Sequence, residues 1–369
     1  MTDADRRPRL TGVDLAFLAL LVFVPATLAA ALLHQDSLVF VLAALALVPL
    51  ARWIGTATDA LARHLGPGAG GLLNATFGNA AELIVGIAAL RAGQTVVVKA
   101  SITGSILGNL LFVFGGAALV AGIRTPRPRF NATAALSDSA LLYLAVVALI
   151  VPDLFHATLG DRATPLMRPL SLLVSVVLVL LYGLSLLFSL RTHSKLYEGA
   201  DPLEAELEGE QAPARPIWPV AVALGALLLA TAATVLVSEL LVGSLEKVIH
   251  SWGLTPTFVG VIIIAIVGNV AEHSTAVAMA FEDRLEVGMA ICFESSKQIA
   301  LLVAPLLVFL SGPLGHPITL EFGHLEVMSL ALAVGATTLV TLDGETHWLE
   351  GAMLIGVYVI LALVFFFVP

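Results

Sequence analysis

Charge is what this chain has least of. Charged residues make up 12% of its 369 positions while hydrophobic ones make up 59%, and soluble domains carry about a quarter charged residues. Such a chain cannot cover itself with a polar surface, which excludes a soluble globular protein and points to the bilayer. The formal charge of −9 is too mild for an acidic domain. Cysteine is nearly missing: the single Cys292 excludes an internal disulfide and a Cys-based metal cluster. No basic run interleaved with aromatics occurs, so nucleic acid is not a partner. Also missing are an HExxH zinc pattern, a Ser/His pairing at motif positions and a Gly-rich nucleotide loop, which argues against an intramembrane enzyme and against ATP as an energy source.

Apolar runs of about 20 residues read as spanning helices, and the sequence offers eleven: 13–33, 37–54, 70–90, 96–121, 133–151, 170–190, 217–240, 255–280, 285–311, 325–342 and 348–368. The first follows Arg6, Arg7 and Arg9 but is longer than the 7–15 residues of a signal-peptide core, so it is expected to be retained. With the N-terminus in the cytoplasm, that side collects Arg6, Arg7, Arg9, Arg52, Arg63, Arg124, Arg127, Arg129, Arg191, Lys195, Arg215 and Arg284. The other side holds only Arg91, Arg162, Arg168 and Lys247. This bias places the N-terminus in the cytoplasm and the C-terminus outside. The long polar stretch 192–215, with EGADPLEAELEGE, reads as a cytoplasmic acidic linker, either a solvated connection or a segment that senses cations.

An internal repeat organises the rest. GNAAEL at 78–83 returns as GNVAEH at 268–273. Each copy follows a short amphipathic segment, Asp59–Leu65 or Leu245–Trp252. Each precedes a helix with a second polar patch, ASITGSILGN at 100–109 or CFESSKQ at 292–298. The copies fall in the third and eighth runs, an odd separation, so they enter the membrane in opposite directions. The expected fold is therefore an all-α integral membrane protein of eleven transmembrane helices: a leading helix in 1–36, a five-helix repeat in 37–191, the linker, and an inverted five-helix repeat in 216–369. Inverted repeats place substrate sites near the midplane where they meet.

Glu82 and Glu272 stand at matching repeat positions about halfway along their runs. A charge at the bilayer centre costs about 2.5–3.5 kcal/mol on insertion scales, and such residues mark ion pathways by default. Gly71, Ala75, Gly78, Glu82 and Gly86 form one helical stripe, as do Ala265, Gly268, Glu272 and Ala276. Small residues there let another backbone approach the carboxylate. Asn79 and Asn269 each follow a glycine, where local unwinding would free carbonyls as further hard-cation ligands. Thr76, Ser101, Ser105, Asn109, Ser295, Ser296 and Gln298 are secondary candidates, each read first as a helix–helix hydrogen bond. Two carboxylates held close together in a poorly solvated setting can take a divalent cation or protons, not both. His273 is a candidate for proton coupling or a structural hydrogen-bonder.

GNAAELIVGIAAL with KASITGSILGNLL, and GNVAEHSTAVAMA with SSKQIALLVAPLLV, resemble the two signature repeats of the cation/proton exchanger family, the Ca2+/H+ branch of the Ca2+/cation antiporter superfamily. The resemblance covers nearly the whole chain. It implies a multi-pass cell-membrane antiporter exchanging Ca2+ for H+ by alternating access, with Glu82 and Glu272 as shared metal and proton ligands. Asn79, Asn269 and His273 are the matching motif positions. Its partners would be Ca2+, H+ and the lipid bilayer, with Ca2+ as transported substrate and no resident cofactor. SELLVG at 238–243 also looks like a family feature, which makes Glu239 a candidate on the ion's access path. Three residues depart from the family pattern: Lys99 where Gln is usual, Glu294 where Gly is usual, and Lys297 inside the SSxQ segment. They leave open internal ion pairing or an altered cation preference, with Na+, K+ or Mn2+ exchange as the alternative. A channel is the other rival, but a chain carrying its own inverted repeat favours a carrier.

Overall fold

The computed structural model describes residues 12–194 and 218–368. In chain order the helices are α1 (Leu15–Leu32), α2 (Asp36–Gly66), two short pieces α3 (67–77) and α4 (Ala80–Arg91), α5 (Thr95–Arg124), α6 (Ala132–Arg162) and α7 (Thr164–Thr192). After the linker come α8 (Val220–Trp252), α9 (Pro256–Phe281), α10 (Leu285–Ser311), α11 (His324–Thr341) and α12 (Trp348–Phe367). Among the described residues there is no strand beyond an isolated bridge between Arg129 and Glu345, and ten of the helices are long and apolar enough to cross a membrane. The eleventh expected run, 70–90, is not among the ten because it is split at Gly78–Asn79 into α3 and α4. The acidic linker lies, from residue 195 to 217, outside the described residues.

Two boundaries differ from the sequence reading. The amphipathic segments Asp59–Leu65 and Leu245–Trp252 are the ends of the long helices α2 and α8 rather than separate elements. Each turns the chain at a glycine with positive φ, Gly66 at 78° or Gly253 at 65°. Glycine occupies that region without steric cost. The two long helices lie against each other along much of their length. Their contact is lined by Phe40, Ala43, Leu47, Val237, Leu241 and Leu245.

The interior is built around α5 and α10, most of whose residues are buried, whereas α1 lies at the periphery with few buried residues. Outward positions carry large apolar side chains, such as Leu229 and Leu339, each 75% exposed, as lipid contact requires. Inside lie Asn79, Ser105, Asn109, Asn269, Ser295 and Gln298, all buried. Both central helices contain a π turn at corresponding places, Gly108–Val113 in α5 and Ile299–Val303 in α10. Such turns add a residue to the helical circuit and often stand at functional sites.

The extended segment 316–323 between α10 and α11 buries alternate residues in the protein although it is not helical. Ile318, Leu320 and Phe322 point inward, and helices satisfy its backbone: Ile318 N–H donates to Ser311 Oγ at 3.0 Å, Leu320 N–H to Ser171 Oγ at 3.0 Å, and Lys99 Nζ donates to the Glu321 carbonyl at 2.5 Å. Where side chains such as these close over irregular backbone, protein groups take the place of water as its hydrogen-bond partners. Lys99 is thus explained as a carbonyl donor. His156 of α6 pairs with the Glu321 carboxylate on the same segment.

The two halves are not packed alike. The N-terminal halves of α5 and α9 meet backbone to backbone, with Gly104 against the Val261 peptide and Gly260 against Ala100 and the Ser101 amide. At the mirror place, Gly70 faces Ala62 of the preceding helix α2 and Gly71 faces Leu190 of α7, while Leu72 of α3 is 55% exposed. A methyl group at Gly104 would run into the Val261 carbonyl. Gly104→Ala is therefore expected to lower stability by about 1–3 kcal/mol, read as a lower melting temperature of the detergent-purified protein, while Gly183→Ala, which meets open space, leaves it unchanged.

Candidate cation site

The broken helix 67–91 delivers the first carboxylate. Asn79 leaves the helical ladder at φ −99°, ψ 32°, and Glu82 falls in the first turn of α4, where unpaired N–H groups favour a negative charge. The second copy is built differently. Gly268 and Asn269 stay inside the continuous helix Ala265–Phe281, and the irregularity sits earlier, in the π turn Val259–Ile264. The unwinding expected at both Gly-Asn pairs is thus present in the first and not in the second.

The copies face each other. A Cβ at Gly268 would lie 3.4 Å from Glu82 Cγ, and one at Gly78 would lie 3.1 Å from Gln298 Oε1. The small-residue stripes let the carboxylate of one copy rest on the backbone of the other. Glu272 is a neighbour of Glu82, and Ser295 lies beside Glu272. Glu82 also borders a cleft shared with Ser101, Ser105 and Gly268.

Hydrogen bonds cross between the halves in a reciprocal pattern. Asn269 Nδ2 donates to Ser105 Oγ at 2.8 Å, and Ser295 Oγ donates to Asn79 Oδ1 at 3.1 Å. Asn79 and Ser105 recur 190 residues later as Asn269 and Ser295, so each asparagine pairs with the serine of the other repeat. One side of the network continues into a directed chain. His273 Nε2 bonds Asn109 Oδ1 at 3.2 Å, Asn109 Nδ2 donates to Ser295 Oγ at 2.9 Å, and Asn79 Nδ2 donates to Gln298 Oε1 at 2.7 Å. The amide oxygen of Asn109 only accepts, so His273 Nε2 carries the hydrogen. Every link then donates in one direction, from His273 to Gln298.

Three acceptors stand outside this network. Glu82 Oε2, Glu272 Oε2 and Asn269 Oδ1 are shut off from solvent with no hydrogen-bond partner. Buried polar atoms are normally paired, and a carboxylate or amide oxygen is satisfied by a donated hydrogen bond, from a bound proton or a water, or by a cation. Among the described residues no three His, Cys, Asp or Glu side chains converge as a metal cluster. A cation here would draw on two carboxylates, the Asn269 amide oxygen, hydroxyls and waters, an all-oxygen set suited to a hard ion.

The remaining candidates take no part in the network that crosses between the halves. The Ser296 hydroxyl bonds the Cys292 carbonyl of its own helix at 2.8 Å, Thr76 the Leu72 carbonyl at 2.8 Å, and Ser101 the Val98 carbonyl at 2.9 Å. Glu294 pairs with Lys297 at 2.6 Å, and Lys297 also bonds Asp138 of α6 at 2.7 Å. Glu239 is tied to Arg91 at 2.8 Å at the end of α4. Asp138 was missed from the sequence: it lies in an otherwise uncharged run, where its own intramembrane charge was the available signal.

The family described as sodium/calcium exchanger protein matches the chain over residues 36–191 and 222–367. The chain is 43% identical over 367 residues to a Ca(2+)/H(+) antiporter of a Synechocystis species, spanning 96% of this chain and 97% of that protein. It is 41% identical over 365 residues to a Ca(2+)/H(+) antiporter of Aphanothece halophytica, spanning 96% of each. The solved structure of native YfkE superposes with a TM-score of 0.80 at 35% identity, over 95% of this chain and 100% of that one. The H+/Ca2+ exchanger CAX shares the fold at a TM-score of 0.67 and 16% identity, over 97% of this chain and 93% of its own.

Ser295→Ala removes both the donor to Asn79 and the acceptor of Asn109. It is expected to lower stability by about 1–3 kcal/mol, since two buried groups lose their partner. Ser296→Ala gives up only a bond within its own helix and stays within about 0.5 kcal/mol of the wild type. Thermal melting of the two variants side by side checks the contrast.

Proposed function

The chain belongs to the sodium/calcium exchanger protein family, and from that premise we propose that it is a secondary active antiporter exchanging Ca2+ for H+ at the site between Glu82 and Glu272. Relatives at 41–43% identity over nearly the whole chain carry the Ca(2+)/H(+) antiporter name, which supports the choice of ions. The observation that carries the site is the set of sealed, unpartnered acceptors, Glu82 Oε2, Glu272 Oε2 and Asn269 Oδ1. Ca2+ takes six to eight oxygens at about 2.3–2.6 Å. The two carboxylates supply up to four, Asn269 one, and waters the balance.

Coupling follows from the shared ligands. A carboxylate oxygen that holds a proton cannot hold Ca2+, so release of one ion prepares binding of the other. The expected eleven-helix arrangement, with α3 and α4 together counted as one crossing, and the inverted five-plus-five repeat are part of this reading. They are supported by the family's match to 36–191 and again to 222–367, by the paired long helices α2 and α8, and by the crossed Asn–Ser bonds. The two halves would take turns in closing. Gly104 and Gly260 seal α5 to α9 on one side, while α3 stands away from α10 on the other. With the N-terminus cytoplasmic, as the basic residues suggest, the loosely packed side faces the cytoplasm.

The test is Ca2+ movement into proteoliposomes under an imposed pH gradient, and then under Na+ or K+ gradients. Uphill Ca2+ movement driven by the proton gradient alone supports the assignment; movement driven only by Na+ or K+ replaces the coupling ion. Glu82→Gln and Glu272→Gln are each expected to abolish exchange in folded protein, and normal flux in either refutes the shared site. Protons compete for the oxygens that bind Ca2+, so lowering the pH on the side where Ca2+ enters should raise its KM.

A further inference from the structure

Lys297 sits next to the cation site and takes no part in it. Its side chain is 4% exposed, with Nζ 2.7 Å from Asp138 Oδ1 on α6 and 2.6 Å from Glu294 Oε2 one turn back on α10. Helical residues follow at about 100° intervals, so Lys297 is turned roughly 200° from Ser295, to the far side of α10. On the near side, Ser295 and Gln298 bond Asn79. Directly after Gln298 the helix enters the π turn Ile299–Val303, where the regular ladder gives way. The rotation of α10 about its own axis, which aims Ser295 and Gln298, therefore rests on contacts from outside the helix.

The first half of the chain shows how the corresponding helix is held. On α5 the place of Glu294 is taken by Gly104 and that of Lys297 by Leu107. Gly104 rests on the Val261 backbone, and Leu107 is buried in the core. On α10 a carboxylate, with its side chain 41% exposed, stands where that close contact would be. The ammonium of Lys297 compensates this carboxylate and ties the back of the helix to Asp138, whose side chain is 10% exposed.

We propose that Lys297 is a positioning residue of the cation site, holding Ser295 and Gln298 of α10 in register with Asn79 through its ion pair with Asp138. The ammonium cannot ligate a cation, and its distance from the network in helical angle keeps it from competing for Asn79. Its contribution is to the pre-formed geometry, and so to the affinity with which Ca2+ is taken up. This inference rests on the Ca2+/H+ reading above.

Removing one partner of a buried pair leaves a stranded charge and destabilises strongly, so the informative variant removes both. Lys297→Met with Asp138→Leu, made in a Glu294→Gln background so that the second partner of Lys297 is not left as a stranded carboxylate and compared with Glu294→Gln alone, keeps side-chain bulk while cutting the tether. In proteoliposomes its KM for Ca2+ should rise about tenfold over that of Glu294→Gln with kcat nearly unchanged, the size expected for residues coupled in one network. A purely structural role would reduce the yield of folded protein and leave the KM of what folds as it was, so an unchanged KM in the folded combined variant overturns the proposal. Asp138→Glu lengthens the tether by one methylene and keeps both charges. It should raise KM several-fold on the same argument, and an unchanged KM there overturns the proposal even where the combined variant does not fold. Wild-type protein that moves no Ca2+ under any gradient refutes the exchange reading instead.

Discussion

The reciprocal pairing of Asn269 with Ser105 and Asn79 with Ser295 is the constraint on which the middle of this protein depends. Two carboxylates and two amides lie in the protein interior, and each polar group left alone there costs free energy. The chain meets that cost by letting each repeat complete the other. The asparagine beside one carboxylate finds its partner on the helix that follows the other carboxylate. Neither half can assemble these bonds by itself, so the site exists only when α5 and α10 cross α4 and α9 at one depth. The burial of α5 and α10, the small residues at Gly78 and Gly268, and the π turns that displace the helical circuit past the site are all consistent with keeping that crossing close.

Symmetry in sequence does not carry through to symmetry in packing. Gly104 and Gly260 hold α5 against α9 by backbone contact, whereas Glu294 stands at the corresponding place on α10 and answers to Lys297 and Asp138 instead. The chain also breaks at Gly78–Asn79 and stays helical at Gly268–Asn269. The broken copy belongs to the loosely packed side and the continuous copy to the sealed side. On the proposed reading, one half is fixed while the other is free to approach, and the difference between the halves supplies the two arrangements an exchanger must visit.

Much of this was legible in the sequence for a simple reason: a charged or amide residue inside an apolar run has few explanations, and a repeat of one has fewer. GNAAEL and GNVAEH marked the residues that the structure brings together, and the small-residue stripes marked which faces meet. What the sequence hid was partnership. Helical spacing says that Ser295 and Ser296 are both polar, but only the rotation of α10 decides that the first crosses to Asn79 and the second bonds its own helix. Lys99 and Lys297 read as anomalies because their partners, the Glu321 carbonyl and Asp138, lie far away along the chain. Nothing local to the segment 316–323 announces that Ser171, Ser311 and Lys99 satisfy its backbone.

The directed chain from His273 to Gln298 bears on how protons and Ca2+ are kept coupled. A hydroxyl or a water passes a proton by accepting at one side and releasing at the other. An amide does not, because its oxygen accepts and its nitrogen donates without exchange between them. The chain runs through Asn109 and Asn79, so it aligns Ser295 and Gln298 and does not conduct protons past them. In the proposed mechanism, protons then have no route around the carboxylates through this network. They reach the other side by occupying the oxygens that Ca2+ must also occupy. Competition for one set of acceptors, with no bypass through the groups that hold it in place, is what turns two permeant ions into an exchange and not a pair of leaks.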